Sequence, residues 1–418
     1  MKGKELFEQG GRYLTIMTLV VLPWQTRYIF WRPWVGTTEG EFGVISLYAT
    51  MVLSVLAAVL LGLAQLEEEK KKTWMLPVSI ATVIFLGGLF ILTYPTETHA
   101  WILNFVSALA LGYAVYRSAK KNISSLCLAF VAGLAPSLML GIGQVIQGMT
   151  PASSILGLAA RSAEHLGDAV IIIKDERVLR MYGVFPHPNI FGTALALVGG
   201  IMMTLFGDQM KKMHASAGIG ALLGGALLIS RGAALALGCA MLMAYAIREH
   251  KRNLIKGIVL VPVIVWLLQF LSPGMLAIRG QSALEQRSLT ERVLQVQEWG
   301  RVMQEHGLLG TGIYQYANAL AKIHGPTMPA WAYQPIHHTL LLIIAEGGLL
   351  MIGGGVVLCV VLARKYSWEE GKKIGLRGAP LLIVLWSLVW FDHALWTSWS
   401  GMAYTATTAG LFISSLDR

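Results

Sequence analysis

The sequence predicts an all-α polytopic membrane protein of about twelve transmembrane helices, with two long outer loops. Three observations predict it. Hydrophobic residues make up 55% of the chain and the mean hydropathy is +0.60. Charged residues make up only 13%, against about 25% in a soluble domain. Apolar runs long enough to cross a bilayer recur from one end to the other. A net charge of +10 would suggest nucleic acid in a soluble protein. Here it is expected to reflect cytoplasmic loops rich in Lys and Arg, and no nucleic-acid partner is expected.

The runs lie near residues 13–30, 43–65, 75–93, 100–116, 124–147, 188–207, 215–229, 232–247, 257–273, 337–363, 378–391 and 396–415. The pair 215–229 and 232–247 is separated only by Arg231 and its neighbours, so it reads as a tight hairpin or one broken helix. The first run lacks a small-residue cleavage site and reads as a retained span. Charge sets the orientation. With the N-terminus inside, the terminal segments and the inner loops around Lys70, Lys120, Lys211, Arg252 and Lys372 hold most of the 33 basic residues. The short outer loops near 94–99 and 392–393 hold none, as the positive-inside rule requires. Residues 1–418 therefore read as a single membrane domain with both termini cytoplasmic. Cys127, Cys239 and Cys359 sit in apolar runs and suggest neither disulfides nor metal ligation.

The outer loops 148–187 and 272–336 are exceptions to the charge rule. The first, with Arg161, Lys174, Arg177 and Arg180, carries two short strand-like stretches around a Lys174-Asp175-Glu176 turn. The second, with Arg279, Arg287, Arg292, Arg301 and Lys322, has a Ser288-Leu-Thr-Glu291 pattern resembling a capping box. After it, Leu289, Val293, Val296 and Met303 share one helical face, which ends near Gly307. An anionic ligand is the simplest reason for so many outer arginines.

The stretch Pro335–Gly354 combines membrane-like hydrophobicity with ionisable groups. His337 and His338 open it, at the membrane surface. Glu346 lies roughly 13 Å deeper on a helix. Ionisable groups in a membrane are expensive and usually functional. The histidines are either interfacial anchors or general-base candidates, since neutral imidazole accepts a proton near pH 7. Only one of two helical neighbours can face the chemistry squarely. Glu346 reads mainly as structural. Ahead of Pro188-Asn189, Arg180 and His187 flank a helix start that suits an anion, though Pro-Asn also simply starts a helix. Arg231, in Ser230-Arg231-Gly232, is a snorkelling arginine or a phosphate fork. Asp392-His393 is a lone acid–base pair with a supporting or purely structural role. No Walker loop, dinucleotide fingerprint, nucleophile elbow or metal-ligand pattern occurs, so neither metal nor cofactor is expected.

These residues resemble those of the O-antigen ligase and Wzy-type polymerase superfamily of bacterial inner membranes. His337, Leu341, Glu346, Gly348 and Leu349 resemble its His-Asn-x-x-Leu…Glu-x-Gly-Leu segment, with His338 where Asn is common. Arg180…Gly183-Val-Phe185-Pro-His187-Pro188-Asn189, Ser230-Arg231-Gly232, Arg292…Trp299…Gly307-Leu-Leu-Gly310-Thr-Gly312 and Asp392-His393 resemble further family stretches. Together the matches span roughly residues 180–400.

The resemblance implies a GT-C-like fold and a periplasmic active site. It implies an inverting, metal-independent glycosyltransferase that uses an undecaprenyl-diphosphate-linked glycan donor. A ligase places that glycan on lipid A–core; a polymerase places it on another lipid-linked repeat. Arg180, Arg231, Arg292 and His187 are expected at the diphosphate. His337 or His338, with His337 favoured by its spacing to Glu346, is expected to be the base. Asp392, His393 and Glu346 are expected to support them. A lipid-glycan transporter is the rival from another class, favoured by the broken-helix candidates at 215–247. The absence of a convincing inverted repeat weighs against it.

Overall fold

The computed structural model describes residues 2–68, 96–173, 175–206, 230–271, 283–364 and 367–417. The expected spans 75–93 and 215–229, the basic loops around Lys70 and Lys211, and Lys174, Arg279 and the side chain of Cys359 lie outside the described residues. What is described is mostly helical.

The first helix, α1 (Lys2–Val21), ends earlier than the expected span 13–30. Pro23 follows it and cannot continue the hydrogen-bond ladder. The aromatic stretch after it is a strand, β1 (Arg27–Trp31), paired antiparallel with β4 (Ile45–Tyr48). Between them β2 (Trp34–Val35) and β3 (Thr38–Glu39) form a small hairpin. Tyr, Ile, Phe and Trp favour a pleated surface, and an apolar count alone misreads them as helix.

Helix α2 (Ala49–Glu68) is followed by the long α3 (Thr96–Gln147). The expected spans 100–116 and 124–147 are the two halves of α3, bent where Asn122 leaves helical geometry at φ −153°, ψ 89°. The Asn122 side chain then accepts the Ser125 N–H at 3.1 Å and caps the second half. The loop 148–187 contains two ribbons, β5 (Met149–Thr150) with β6 (Arg161–Ser162), and β7 (Val170–Ile173) with β8 (Glu176–Leu179). The second ribbon is the expected hairpin, with Asp175 at φ 66° in its turn.

The remaining helices are α4 (Pro188–Phe206), α5 (Arg231–Arg248), α6 (Arg252–Leu271), α7 (Ala283–His306), α8 (Tyr316–His324), α9 (Thr339–Arg364), α10 (Trp368–Phe391), α11 (Ala394–Thr397) and α12 (Trp399–Leu416). Two expected starts need correction. Helix α7 begins at Ala283, so Ser288–Glu291 is interior to it and no capping box. Glu291 is instead held by Arg287 at 2.8 Å, one turn earlier. A true capping box, Ser367 with Glu370, opens α10 well ahead of the expected 378.

Among the described residues, six helices (α2, α3, α4, α5, α9 and α10) are long and apolar enough to cross a membrane. Helix α12 lies along α3, α1 and α2 pack on α3, and α4, α5 and α10 form a second group. Lipid supplies no hydrophobic push between helices, so close backbone approach has to hold them. A Cβ on Gly410 would sit 2.5 Å from the Gly112 oxygen, and one on Gly133 only 2.6 Å from the Leu19 oxygen. The core between the groups holds Phe130, Phe185, Phe191, Trp399 and Tyr404.

Helix α9 is not one rod. Gly348 sits at φ 67°, ψ −175° and breaks it, in a region of backbone space open essentially to glycine alone. The break frees the carbonyls of Ala345 and Glu346, and the segment Gly307–Gly312 enters it. The Thr311 N–H donates to Ala345 O at 2.8 Å, the Gly312 N–H to Glu346 O at 3.0 Å, and the Leu349 N–H to Gly307 O at 3.1 Å. These exchanges give partners to backbone groups that the break leaves without helical ones. The chain on either side differs. Leu342 and Ala345 above the break are fully buried, whereas Leu350 and Val357 below it are 61% and 63% exposed.

Candidate active site

The starts of α4 and α5, the loop ahead of α9 and the adjoining face of α7 surround a cavity of about 1020 Å³. Arg180, His187, Asn189, Ser230, Arg231, Arg292, Gln295 and His337 all line it.

Local structure explains how each is held. The segment 180–187 is templated by Gln144 on α3. Its Oε1 accepts the N–H groups of Tyr182 and Gly183 at 3.0 and 2.9 Å, and its Nε2 donates to Gly183 O at 2.8 Å. The Arg180 Nη2 donates to Asn189 Oδ1 at 3.0 Å, in the first turn of α4. His187 Nδ1 accepts the Asn189 N–H at 3.1 Å. The neutral ring therefore carries its hydrogen on Nε2 and offers one N–H to an anion. Burial, followed by the Arg180 charge, pushes this imidazole down to about 3, so His187 contributes no charge of its own. Ser230 caps α5 by accepting the Ala233 N–H at 3.4 Å, which places Arg231 in the first turn. The starts of α4 and α5 thus both turn their positive ends toward the cavity.

The cavity is electropositive. Burial lowers the Arg180 guanidinium to about 10, which leaves it charged at neutral pH. Burial also lowers Arg292, and the Asp392 carboxylate offsets part of this. Arg231 lies near enough to Arg292 and Arg180 to feel their charge. Like charges gathered this way favour an anionic ligand, because it relieves their repulsion.

The other described arginines of the loops 148–187 and 272–336 have protein partners of their own, although Arg177 and Arg287 also line the cavity. Arg161 pairs with the buried Asp168 at 2.8 Å. Arg177 donates to the Ala163 and His165 carbonyls at 2.6 and 3.4 Å. Arg287 pairs with Glu291, and Arg301 with Glu298 at 3.2 Å. These residues hold the loops in shape.

The two histidines separate. Both precede α9, which starts at Thr339 and not at the histidines as expected. His337 lines the cavity, and its ring lies 5.1 Å from that of His393. Burial, reinforced by His393, holds its imidazole in the neutral form. His338 turns away. It is 3% exposed, with its ring 5.1 Å from Trp266 and 4.8 Å from Trp390. Its Nδ1 accepts the Leu341 N–H at 3.3 Å, so it caps α9.

Asp392 accepts the Ala394 N–H at 2.8 Å, and its neighbours include the imidazoles of His393, His337 and His187. The Thr397 hydroxyl gives its single hydrogen to the His393 carbonyl at 3.1 Å. Its oxygen also lies 2.7 Å from His393 Nδ1. Glu346 is away from the cavity lining: Trp396 Nε1 donates to it at 2.7 Å, with the amides of Tyr314 and Tyr316 beside it. That is a structural anchor for the broken helix.

Sequence reasoning passed over Gln144 and Gln295. A single glutamine in a helix has no spacing signal, so nothing in the pattern marked either one. Among the described residues no cluster of His, Cys, Asp and Glu is arranged to hold a metal ion.

Residues 217–354 match the O-antigen ligase family model. The matched segment contains Arg231, Arg292, Gln295, His337 and the break at Gly348; Arg180, His187 and Asp392–His393 lie outside it. No curated protein matches the chain.

Proposed function

Since residues 217–354 place this chain in the O-antigen ligase superfamily, we propose that it transfers a glycan from undecaprenyl diphosphate onto a lipid A–core hydroxyl, by inversion and without a metal. One observation carries the reading: Arg180, Arg231, Arg292 and His337 line a single cavity. The arginines bind the donor diphosphate and stabilise the charge that builds on it as the glycosidic bond breaks, where fixed positive charge helps most. His187 donates a neutral N–H to the same group. The imidazole of His337 takes the acceptor proton as that oxygen attacks the anomeric carbon. Such contributions are typically worth about 10²- to 10⁴-fold in rate.

The remaining features follow from this assignment. The fold is GT-C-like with about twelve spans, in the bacterial inner membrane, with both termini cytoplasmic. The outer loops 148–187 and 272–336 cap the site on the periplasmic side, and the polyprenyl tail lies among the helices in membrane lipid. A polymerase would use the same donor site with a second lipid-linked repeat as acceptor.

The test is product analysis with purified protein in liposomes, a defined lipid-linked repeat, and lipid A–core present or absent. Glycan on lipid A–core supports the ligase. Chain growth without that acceptor supports the polymerase. Movement of donor between leaflets with no covalent product overturns both.

A further inference from the structure

Gln295 lies on α7, and its Oε1 is 3.1 Å from the backbone nitrogen of His337 and 3.0 Å from His337 Nδ1. The backbone N–H can only donate. The atom of the Gln295 amide facing it must therefore be the oxygen, because the NH₂ would oppose it donor to donor. That oxygen can only accept, so Nδ1 must carry the hydrogen of the neutral ring. The lone pair is left on Nε2. Both residues line the cavity that holds the three arginines.

We propose that Gln295 is a positioning residue that locks His337 in the Nδ1–H tautomer and keeps Nε2 as the proton acceptor. The inference rests on the reading of His337 as the base. In the transfer step the acceptor hydroxyl gives its proton to Nε2 while its oxygen bonds to the anomeric carbon. The bond from that carbon to the diphosphate breaks, and its electron pair leaves with the diphosphate. The imidazolium so formed donates a charge-assisted hydrogen bond to Gln295 from Nδ1, and afterwards loses its extra proton to water at the cavity mouth. The neutral amide has a second consequence. A carboxylate would fix the same tautomer but would set a negative charge against Arg180, Arg231 and Arg292, where the donor diphosphate must bind. A glutamine orients the base and leaves the cavity positive.

Two variants and one spectrum test this. Gln295→Leu removes the acceptor at similar size. We expect kcat to fall roughly 10- to 100-fold, as for other lost orienting partners, with KM for the lipid-linked donor changed less than threefold. Gln295→Glu keeps the tautomer, so kcat survives. Its added charge raises the imidazole pKa, and the acid limb of the pH–rate profile moves up by about one to three units, while KM for the donor rises. Nitrogen-15 NMR of histidine-labelled protein reads the tautomer without any turnover, with the His337 signal identified by its loss in His337→Gln. Wild type should show a protonated Nδ1, and Gln295→Leu a mixture.

A wild-type His337 protonated on Nε2 overturns the proposal whatever the activity. So does a Gln295→Leu enzyme with full kcat and an unmoved pH profile. The expected tautomer combined with unimpaired transfer in His337→Gln overturns the base assignment instead and leaves the tautomer lock standing. If Gln295→Leu does not fold, the spectrum of the wild type and the pH profile of Gln295→Glu still decide.

Discussion

Replacing the two adjacent histidines one at a time should give opposite phenotypes. His337→Ala leaves the α9 cap intact and removes the only histidine of the pair that faces the arginines. Loss of a general base costs about 10²- to 10⁴-fold in rate, or roughly 3–5 kcal/mol of transition-state stabilisation at 1.36 kcal/mol per decade. His338 supplies a cap to Leu341 and two ring contacts, with Trp266 and Trp390. His338→Asn retains a capping oxygen but loses both contacts, at about 0.5–1.5 kcal/mol each. His338→Ala also loses the cap, a further 0.5–2 kcal/mol or so. The assay is glycan transfer per mole of folded protein in liposomes, paired with a melting curve in the same detergent. His337→Ala should melt near wild type and turn over at most at a hundredth of its rate. His338→Asn should melt lower and turn over within a few-fold of wild type. Full turnover in His337→Ala, or a collapse of turnover in a folded His338→Asn, would refute the division of labour.

Arg231→Ala and Arg292→Ala should each weaken donor binding, and inorganic pyrophosphate should raise the melting temperature of the wild type. A ligand at a hundred times its Kd adds about 2.7 kcal/mol; a pyrophosphate shift as large in both variants as in wild type would remove the arginines from the anion site. Gly348→Ala should lower stability by at least the roughly 1–3 kcal/mol of a forced backbone, since the new Cβ would lie 2.3 Å from the Leu308 oxygen; a wild-type melting temperature counts against the interlock. Acid should destabilise the protein through His187. Its folded pKa is depressed to about 3 against about 6.5 unfolded, so between those values the unfolded chain binds more protons and stability rises with pH. The contribution is complete above about 6.5 and lost as the pH falls toward 3. Melting temperatures from pH 7.5 to 5 should drop less steeply in His187→Asn than in wild type, and an equal slope would contradict the assignment.

The residues that meet in the cavity were legible because several short patterns occur in a fixed order. Arg180, Arg231, Arg292 and His337 come from four separate stretches, and only their succession along the chain suggests one site. The choice between His337 and His338 was not legible from facing alone. It depends on α9 starting after both, which turns one toward Gln295 and the other toward Trp266. Composition does not tell a guanidinium free for a ligand from one satisfied by Asp168 or by carbonyls, so the partners of Arg161 and Arg177 were not legible. Apolar counting found the two halves of α3 and the interruption between them that holds Asn122, but took Arg27–Trp31 for helix because hydropathy ignores Pro23. The pairing of Gly307–Gly312 with Ala345–Leu349 was hidden for another reason. It is made by main-chain groups, and its only trace in the sequence is glycine at Gly310 and Gly348.

A rod cut at its middle does not carry torque from end to end. The upper piece, Thr339–Gly347, is clamped to Gly307–Gly312, the segment that follows the helix carrying Gln295, while Leu350 and Val357 on the lower piece are exposed. A shift of the lower half then has no continuous helical backbone through which to reach Thr339 and the histidines ahead of it.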